Sequence, residues 1–261
     1  MCSPKNVDAM GVSVADPAVQ QGAATPALIN DLVIANHILA DQGIVDAFGH
    51  VSVRHDKHSD QFLLARNMAP GAVTEADIIA FTLDGNPVNA GSRSVYLERF
   101  IHGEIYRAHP AVTAVVHSHS HAIVPFSVIK DVPLRAMFHM AGFIGQCVPI
   151  FEIRDVAGSG SDLLIRNNAL GTALAKHFEA SDIVLMRGHG STVIGRSLRQ
   201  AVYRAVYAEL NARFQSMAMQ LGNVTYLTQE ESKACANTVE GHLARPWDLW
   251  KQQAELKRRN S

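Results

Sequence analysis

Apolar side chains in the second half of the chain repeat with the period of a helix. In residues 197–221 they recur every three or four positions, which predicts a long surface helix with one buried stripe. The stripe comprises Leu198, Val202, Val206, Leu210, Phe214, Met217 and Leu221. Residues 25–42 repeat in the same way, with Thr25 as a candidate N-cap, Pro26 in the first turn and Gly43 as the end. Both segments are therefore predicted to be helices.

Shorter segments alternate apolar and polar residues, or form brief β-branched runs, as strands do. These segments are "HVSVRH", "QFLLAR", "DIIAFTLDGNPV", "AVTAVVHSH", "VPIFEI" and "DIVLMRGHG". Residues 94–109 and 162–178 are interpreted as two further helices, the first ending before Pro110. Helices interleaved with strands predict an α/β fold of mixed strand order, with helices packed on a central sheet.

The two ends of the chain differ from the middle. Residues 1–24 are small and polar without any period, and we expect a flexible N-terminal arm there. Residues 25–261 are expected to form a single domain that finishes in a helical tail. The tail carries Trp247, Trp250 and a basic end. It either packs on its own subunit or covers the site of a neighbour, and the sequence favours neither reading.

Composition excludes several classes of function. The 261 residues are 48% hydrophobic and 18% charged, with a formal net charge of −1, so no basic surface for nucleic acid or an anionic membrane is indicated. No apolar stretch reaches the roughly 18 residues that a membrane span needs. The three cysteines are widely spaced, which argues against a disulfide framework and predicts a cytoplasmic location. The chain has a high number of histidines, 13, and histidine is a common metal ligand that titrates near neutral pH.

Two predicted strands lead into histidines. His117 and His119 stand two positions apart, so they share one face of a strand at a spacing of about 7 Å. His189 follows another apolar run and lies between two glycines, where the backbone can turn sharply. Neutral imidazoles bind zinc, iron, manganese or cobalt, so the three rings predict a metal site at one edge of the sheet. His121 shares the same parity and is a candidate catalytic group near that site.

A metal site that breaks bonds to carbon also needs a group that handles protons. The segment "VYLERFIHGEIY" offers Glu98 and Glu104. Apolar neighbours could desolvate Glu98 and raise its pKa towards neutrality. From these residues alone, an ordinary exposed helix glutamate is the favoured interpretation.

The chain resembles the class II aldolase/adducin family, in order and over nearly its whole length. The similar stretches are "FGHVSVRH", the helix with Glu98, "HPAVTAVVHSHSHA" and "VLMRGHGSTVIG". The resemblance implies a three-layer α/β/α sandwich around a central, mainly antiparallel sheet, and a homotetramer with active sites between subunits. It also implies one divalent metal ion per subunit on His117, His119 and His189, with Glu98 as acid/base or extra ligand. Manganese is favoured, and zinc, cobalt or iron would suit the same donors.

Differences from the sugar-phosphate aldolases of that family change the expected substrate. Where those enzymes resemble "GNLS", "TPSG" and "SSE", this chain has "GHVS", "ARNM" and "YLE". A glycine and two serines that would cradle a phosphate are replaced by larger groups. His50 and Arg66 are therefore candidates for binding a planar carboxylate. Tyr96 could flank a flat ring, and so could Met68, Phe138 and Phe143.

The stretches "GHVSVR", "AVVHSHS", "FHMAGF" and "LMRGHG" most resemble the decarboxylases of the family. The resemblance implies a metal-dependent decarboxylase of a hydroxylated aromatic or heteroaromatic carboxylate, such as 3-hydroxy-2-methylpyridine-4,5-dicarboxylate of vitamin B6 degradation. Three alternatives stay open. They are a metal-dependent aldolase for an unphosphorylated hydroxy acid, an iron(II) oxygenase, and a non-enzymatic adducin-like interaction module.

Overall fold

The computed structural model describes residues 22–88 and 90–260, and a twisted sheet lies at their centre. Its seven strands within that part of the chain are β1 (His50–Arg54), β2 (Gln61–Ala65), β3 (Ile78–Thr82), β4 (Ala114–Ser118), β5 (Ile150–Phe151), β6 (Ile183–Met186) and β7 (Gly190–Gly195). Their order in the sheet is β3-β2-β1-β4-β7-β6-β5. Neighbouring strands run antiparallel except β5 and β6. The predicted mainly antiparallel sheet is confirmed.

Helices cover both faces of this sheet. They are α1 (Pro26–Asp41), α2 (Arg99–Ala108), α3 (Val124–Val128), α4 (Arg154–Ala157), α5 (Asn168–Ala175), α6 (Leu198–Leu221), α7 (Gln229–Glu240) and α8 (Ala244–Asn260). Successive residues of a strand face opposite sides, and in β4 Val116 enters one apolar core while Val115 enters the other. The first core includes side chains of α1, α6 and α8, and the second includes those of α2 and α5. This is the three-layer arrangement that was predicted.

The two long predicted helices are present, and the predicted cap at Thr25 is confirmed. The Thr25 hydroxyl accepts the Leu28 N–H at 3.4 Å at the start of α1, and Ser197 caps α6 in the same way. The predicted stripe on α6 is buried only in its first half, because Phe214, Met217 and Leu221 are 43%, 61% and 89% exposed. The end of α6 therefore extends beyond the core of its own chain.

The helix predicted over residues 162–178 is wrong in its first part. The Asn167 side chain accepts the Leu170 N–H at 2.9 Å and caps a helix that begins only at Asn168. Residues 158–167 form a loop instead, rich in glycine, serine and aspartate at its start. This loop contacts the candidate site described below.

The C-terminal tail packs on its own chain. Trp247 on α8 is 1% exposed and lies in the first core, and Lys251 pairs with Asp31 of α1 at 3.1 Å. At the other end of the chain, residues 1–21 of the predicted N-terminal arm lie outside the described residues. Among the helices that are described, none combines the length and apolar character needed to cross a bilayer.

Candidate metal centre

Three histidines converge where β4 ends and β7 begins. His117 lies in β4 and pairs with Thr192 of β7, and His119 follows one residue after β4 ends. His189 lies in the tight turn that connects β6 to β7. Gly190 makes this approach possible, because a Cβ there would lie 2.1 Å from the Ser118 carbonyl oxygen. The turn also uses Gly188 at φ +66°, a conformation that favours glycine.

The nitrogen atoms of these rings are close enough to share one ion. His119 Nε2 lies 3.3 Å from His117 Nε2 and 3.0 Å from His189 Nε2. Glu98 Oε2 lies 3.6 Å from His117 Nε2 and 3.5 Å from His189 Nε2. The four ligand atoms all lie within 4.8 Å of one another. The structure therefore brings Glu98 and the three predicted ligands into one cluster.

Backbone carbonyls orient two of the rings. The Nδ1 atom of His117 lies 3.1 Å from the Ser191 carbonyl oxygen, and that of His189 lies 3.0 Å from the Leu163 carbonyl oxygen. A carbonyl only accepts, so each Nδ1 carries the proton and each Nε2 presents a lone pair to the cluster. Burial also lowers the pKa of His117 well below its usual value, which keeps the ring neutral. Facing lone pairs beside a carboxylate suit a divalent first-row metal ion.

Glu98 is buried, with 7% of its surface exposed, and it directly precedes α2. Its Oε1 accepts the Ile165 N–H at 2.9 Å, which leaves Oε2 toward the histidines. Burial raises the pKa of Glu98, but its contacts with the His189 and His117 imidazoles and with the Ile165 N–H outweigh burial and lower it to about 2. The carboxyl is therefore ionised, and the expected rise of its pKa towards neutrality is wrong. The reading of Glu98 as an exposed helix residue is also wrong.

The loop before α5 positions two of these groups, and the sequence reading missed it. Its Leu163 carbonyl accepts from His189, and its Ile165 N–H donates to Glu98. Leu163 has φ +71°, which non-glycine residues rarely adopt. The turn-forming residues at the start of the loop are the signal that could have separated it from the helix.

Four further polar side chains form a buried hydrogen-bonded chain beside the cluster. His50 Nδ1 lies 2.6 Å from His102 Nε2, and His102 Nδ1 lies 2.6 Å from Ser52 Oγ. Ser52 Oγ lies 2.8 Å from the Tyr106 hydroxyl. We call these residues the buried polar chain. Of these four residues, the sequence analysis named only His50. The spacing could have indicated the others, because residues two apart on a strand (His50 and Ser52) or four apart on a helix (His102 and Tyr106) share one face.

The predicted substrate-binding residues occupy one side of the cluster. His50 is the register partner of His117, and their ring centroids are 5.1 Å apart. Tyr96 packs 4.7 Å from His50, ring to ring, and its hydroxyl donates to the Met68 carbonyl. Arg66 Nε pairs with Asp77 Oδ1 at 2.6 Å, and no hydrogen bond from its two terminal nitrogens is present among the described residues.

Other predicted residues lie elsewhere. His121 is exposed and outside the four-residue cluster, although it lines a small cavity of about 100 Å³ with His119 and Phe48. Phe138 packs on Phe214 of α6 at a centroid distance of 5.1 Å. Phe143 packs on Tyr203 of the same helix. Within one chain these two phenylalanines therefore contact α6 at the edge of the first core and not the histidine cluster, and their role beside a substrate ring stays a prediction.

Comparison with known proteins identifies the family. Residues 30–216 match the family described as Class II Aldolase and Adducin N-terminal domain. The chain belongs to this family. It is 38% identical over 242 residues to the decarboxylase tropJ of Talaromyces stipitatus, and the aligned region covers 84% of this chain and 91% of that protein. It is 31% identical over 189 residues to a 3,4-dihydroxyphthalate decarboxylase of Arthrobacter keyseri, covering 67% and 72% of the two chains.

A solved structure of the class II aldolase family shares the fold. The L-fuculose 1-phosphate aldolase from Glaciozyma antarctica PI12 superposes with a TM-score of 0.74 at 21% identity, covering 96% of each chain. The predicted family, fold class and enzyme class, a lyase, are thus confirmed. The four converging donor residues argue against the adducin-like, non-enzymatic alternative.

Proposed function

We propose that this class II aldolase-family enzyme is a metal-dependent decarboxylase of a hydroxylated aromatic or heteroaromatic carboxylate. The observation that carries the proposal is the cluster of three imidazoles and one carboxylate within 4.8 Å. The decarboxylase names of two relatives that align over most of their own length support the reaction type. The replacement of the phosphate-cradling glycine and serines argues against a sugar phosphate.

The residues that would hold one divalent ion per subunit are His117, His119 and His189, and Glu98 beside them would act as the acid/base or, as the alternative, as an extra ligand. Manganese is the favoured ion, and zinc, cobalt or iron are alternatives. When bound, the ion supplies Lewis-acid stabilisation of the negative charge that carbon–carbon cleavage leaves behind.

Glu98 handles the proton in this proposal. Its ionised Oε2 faces the cluster while Ile165 fixes Oε1, so the free oxygen can take the proton of the substrate's ring hydroxyl. The bond between the ring and the departing carboxylate breaks, CO2 leaves, and the electron pair goes into the ring. Glu98 then returns its proton to that ring carbon, and the product oxygen regains a proton from solvent. His121 lines the small cavity beside His119 and is the second candidate for this proton transfer.

A second carboxylate on the substrate would bind away from the reacting bond. Asp77 holds the Nε of Arg66 and orients the guanidinium, whose terminal nitrogens suit a planar carboxylate. His50 would bind the same substrate from the side of the cluster, and Tyr96 would pack against the ring. These contacts favour a dicarboxylate over a simple phenol carboxylate.

The test is metal-reconstituted enzyme incubated with a panel of acids while CO2 is monitored. The panel contains 3,4-dihydroxyphthalate, 3-hydroxy-2-methylpyridine-4,5-dicarboxylate, monohydroxybenzoates and an unphosphorylated aldol acid. We expect metal-dependent CO2 release from one of the dicarboxylates, with or without oxygen. Retro-aldol cleavage without CO2 release would establish the aldolase alternative instead, and a strict requirement for oxygen would establish the oxygenase.

We also propose a homotetramer with active sites near subunit interfaces. The exposed apolar end of α6, with Phe214, Met217 and Leu221, supports burial against another subunit. Light scattering of the purified protein tests the assembly, and a monomeric mass would contradict it. The cytoplasm stays the predicted compartment.

A further inference from the structure

The buried polar chain lies directly beside the metal-binding candidates, and the proposed reaction uses only one of its members, His50. It connects His50, beside the metal cluster, with His102, Ser52 and Tyr106 under helix α2. The four side chains are between 0% and 4% exposed. Buried polar groups are costly unless every member has a partner, and a satisfied network rigidifies its members.

The geometry of the chain follows from two periodicities. His50 and Ser52 stand two apart on β1 and therefore point to the same face of the sheet. His102 and Tyr106 stand four apart on α2 and therefore point down the same side of the helix. Strand and helix residues then alternate along the chain of hydrogen bonds. His102 and Ser52 each have a fixed neighbour on both sides, and His50 stands at the end of the chain of hydrogen bonds nearest His117.

The Tyr106 hydroxyl sets the direction of the hydrogen bonds. It has one proton and two acceptors within reach, Ser52 Oγ at 2.8 Å and the Thr113 carbonyl at 3.4 Å. The Thr113 carbonyl already accepts the Arg54 N–H at 2.7 Å. Either hydroxyl could donate in the Ser52–Tyr106 contact, and since the shorter contact is the stronger one we infer that Tyr106 donates to Ser52.

That direction determines which nitrogen of His50 carries the proton. Ser52 accepts from Tyr106 and donates its own proton to His102 Nδ1 at 2.6 Å. His102 is then protonated on Nε2 and donates to His50 Nδ1 at 2.6 Å. His50 is left with its proton on Nε2. Burial is the largest cause of the lowered pKa of both rings, in agreement with one proton on each.

The Nε2–H of His50 has no partner of its own. No hydrogen bond from this atom is present in the described part of the chain, although the ring lies 5.1 Å from His117 and 4.7 Å from Tyr96. An unpaired N–H next to a candidate metal site calls for an acceptor oxygen. The reversed direction would present a lone pair there, which would repel a carboxylate.

We propose that Tyr106, Ser52 and His102 are positioning residues that hold His50 as an Nε2–H donor, and that this donor binds a carboxylate oxygen of an aryl acid at the metal centre. The class of acid rests on the proposed function, whereas the direction of the hydrogen bonds does not. His50 thus selects an anionic oxygen at this position, and the residues behind it make the selection without contacting the acid.

The first test reads the tautomer directly. In the zinc-loaded protein labelled with ¹⁵N-histidine, we expect the His50 Nδ1 shift of an unprotonated nitrogen and a protonated Nε2. These signals are assigned to His50 by their absence from the spectrum of the His50→Gln variant. Ser52→Ala should change the tautomer ratio, whereas Ser232→Ala, which removes a buried hydroxyl on α7, should leave it unchanged. A proton on His50 Nδ1 in the wild-type protein would overturn the inference.

The second test uses phthalate, an aryl dicarboxylate without the ring hydroxyl, as a binding probe in calorimetry. Loss of one charge-assisted hydrogen bond should raise its Kd about tenfold in Ser52→Ala and in Tyr106→Phe. Ser52→Thr keeps the hydroxyl and should retain tight binding. The matched control is Tyr203→Phe, which changes a buried tyrosine that is not part of the buried polar chain. An unchanged Kd in folded Ser52→Ala would overturn the proposal.

These readouts separate this inference from the proposed function, because neither requires turnover. If no acid in the panel releases CO2 but the tautomer and the phthalate affinities behave as expected, the decarboxylase proposal is wrong and the role of the buried polar chain stands. If CO2 is released but the His50 proton lies on Nδ1, the reaction stands and the positioning role is wrong.

Discussion

The backbone N–H of Ile165 donates to Glu98 Oε1 at 2.9 Å, which joins residues 67 positions apart in the chain. Two residues before Ile165, the Leu163 carbonyl accepts from Nδ1 of His189 at 3.0 Å. One short loop therefore orients a carboxylate and an imidazole of the candidate metal centre. Leu163 holds this geometry at φ +71°, a conformation that persists only when its surroundings determine it.

Leu163→Pro should weaken metal binding. Proline fixes φ near −65° and removes the N–H that Leu163 gives to Ser161, so the loop cannot keep its present path. Since groups that orient metal ligands typically affect affinity 10- to 100-fold, we expect a loss of about that size in manganese or zinc titrations. Leu163→Gly is the matched control, because glycine adopts the same φ and should keep near wild-type affinity. Equal affinities in the two variants would contradict the role of the loop.

Glu98→Gln should lower turnover far more than metal binding. The amide retains an oxygen for the Ile165 N–H but cannot take a proton from the substrate, and three imidazoles remain for the ion. We expect kcat to fall by about 10²- to 10⁴-fold, the usual worth of a positioned acid/base. Steady-state kinetics and metal titration of the same preparation measure the two effects.

The control for this variant is Glu104→Gln. Glu104 is also buried and close in sequence, but its carboxylate accepts from Asn168 and Thr172 of α5. Its substitution should reduce thermal stability while leaving kcat within a few-fold of wild type. Turnover of Glu98→Gln near the wild-type value would mean that another group moves the proton.

The convergence of the three histidines was predictable because it depends on local rules. Two histidines on one strand face and a third between two glycines need only the pleat of a strand and a tight turn to converge. The predicted helix cap at Thr25 is also local, and it is present. Signals of this kind act over a few residues and do not depend on what packs against them.

The features that sequence reading missed depend on long-range packing. Residues 162–167 have apolar positions compatible with a helix, but their backbone groups bond to Glu98 and His189 instead. Phe138 and Phe143 were named as aromatic residues that could flank a ring, whereas in one chain they pack against Phe214 and Tyr203 of α6. The ionised state of Glu98 likewise depends on neighbours that no window of sequence contains.

Acid should destabilise the metal-free protein through its buried histidines. Burial lowers the pKa of His102 to about 3, from a usual value near 6.5, against a smaller opposing effect of Glu98. Between these two values the unfolded chain binds a proton that the folded chain does not. The free energy of unfolding therefore keeps its full value above the pKa of histidine in the unfolded chain. Below that pKa it falls by about 1.4 kcal/mol per pH unit for each such group.

Denaturant unfolding of chelator-treated protein at pH 7, 6 and 5 measures this loss. His102→Asn removes one titrating group and should show a shallower dependence on pH, even though its stability at pH 7 is lower. His242→Gln changes an exposed histidine at the start of α8 and should keep the wild-type slope. Identical slopes in all three proteins would mean that His102 does not stay neutral when buried.

Gly190→Ala should separate the two strands that bring the histidines together. A Cβ at this position would lie 2.1 Å from the Ser118 carbonyl oxygen and 3.2 Å from the Cα of His119. Both neighbours are backbone atoms in or next to β4, so no side chain can move aside, and β7 must shift. Overpacking of this kind costs about 1–3 kcal/mol or more. The shift also displaces His189 from His119, so metal affinity should fall together with the melting temperature.

Gly160→Ala, in open space on the loop before α5, should change neither the metal affinity nor the melting temperature. A Gly190→Ala protein with wild-type stability and wild-type metal affinity would show that the contact between Gly190 and Ser118 does not determine the distance between the ligands.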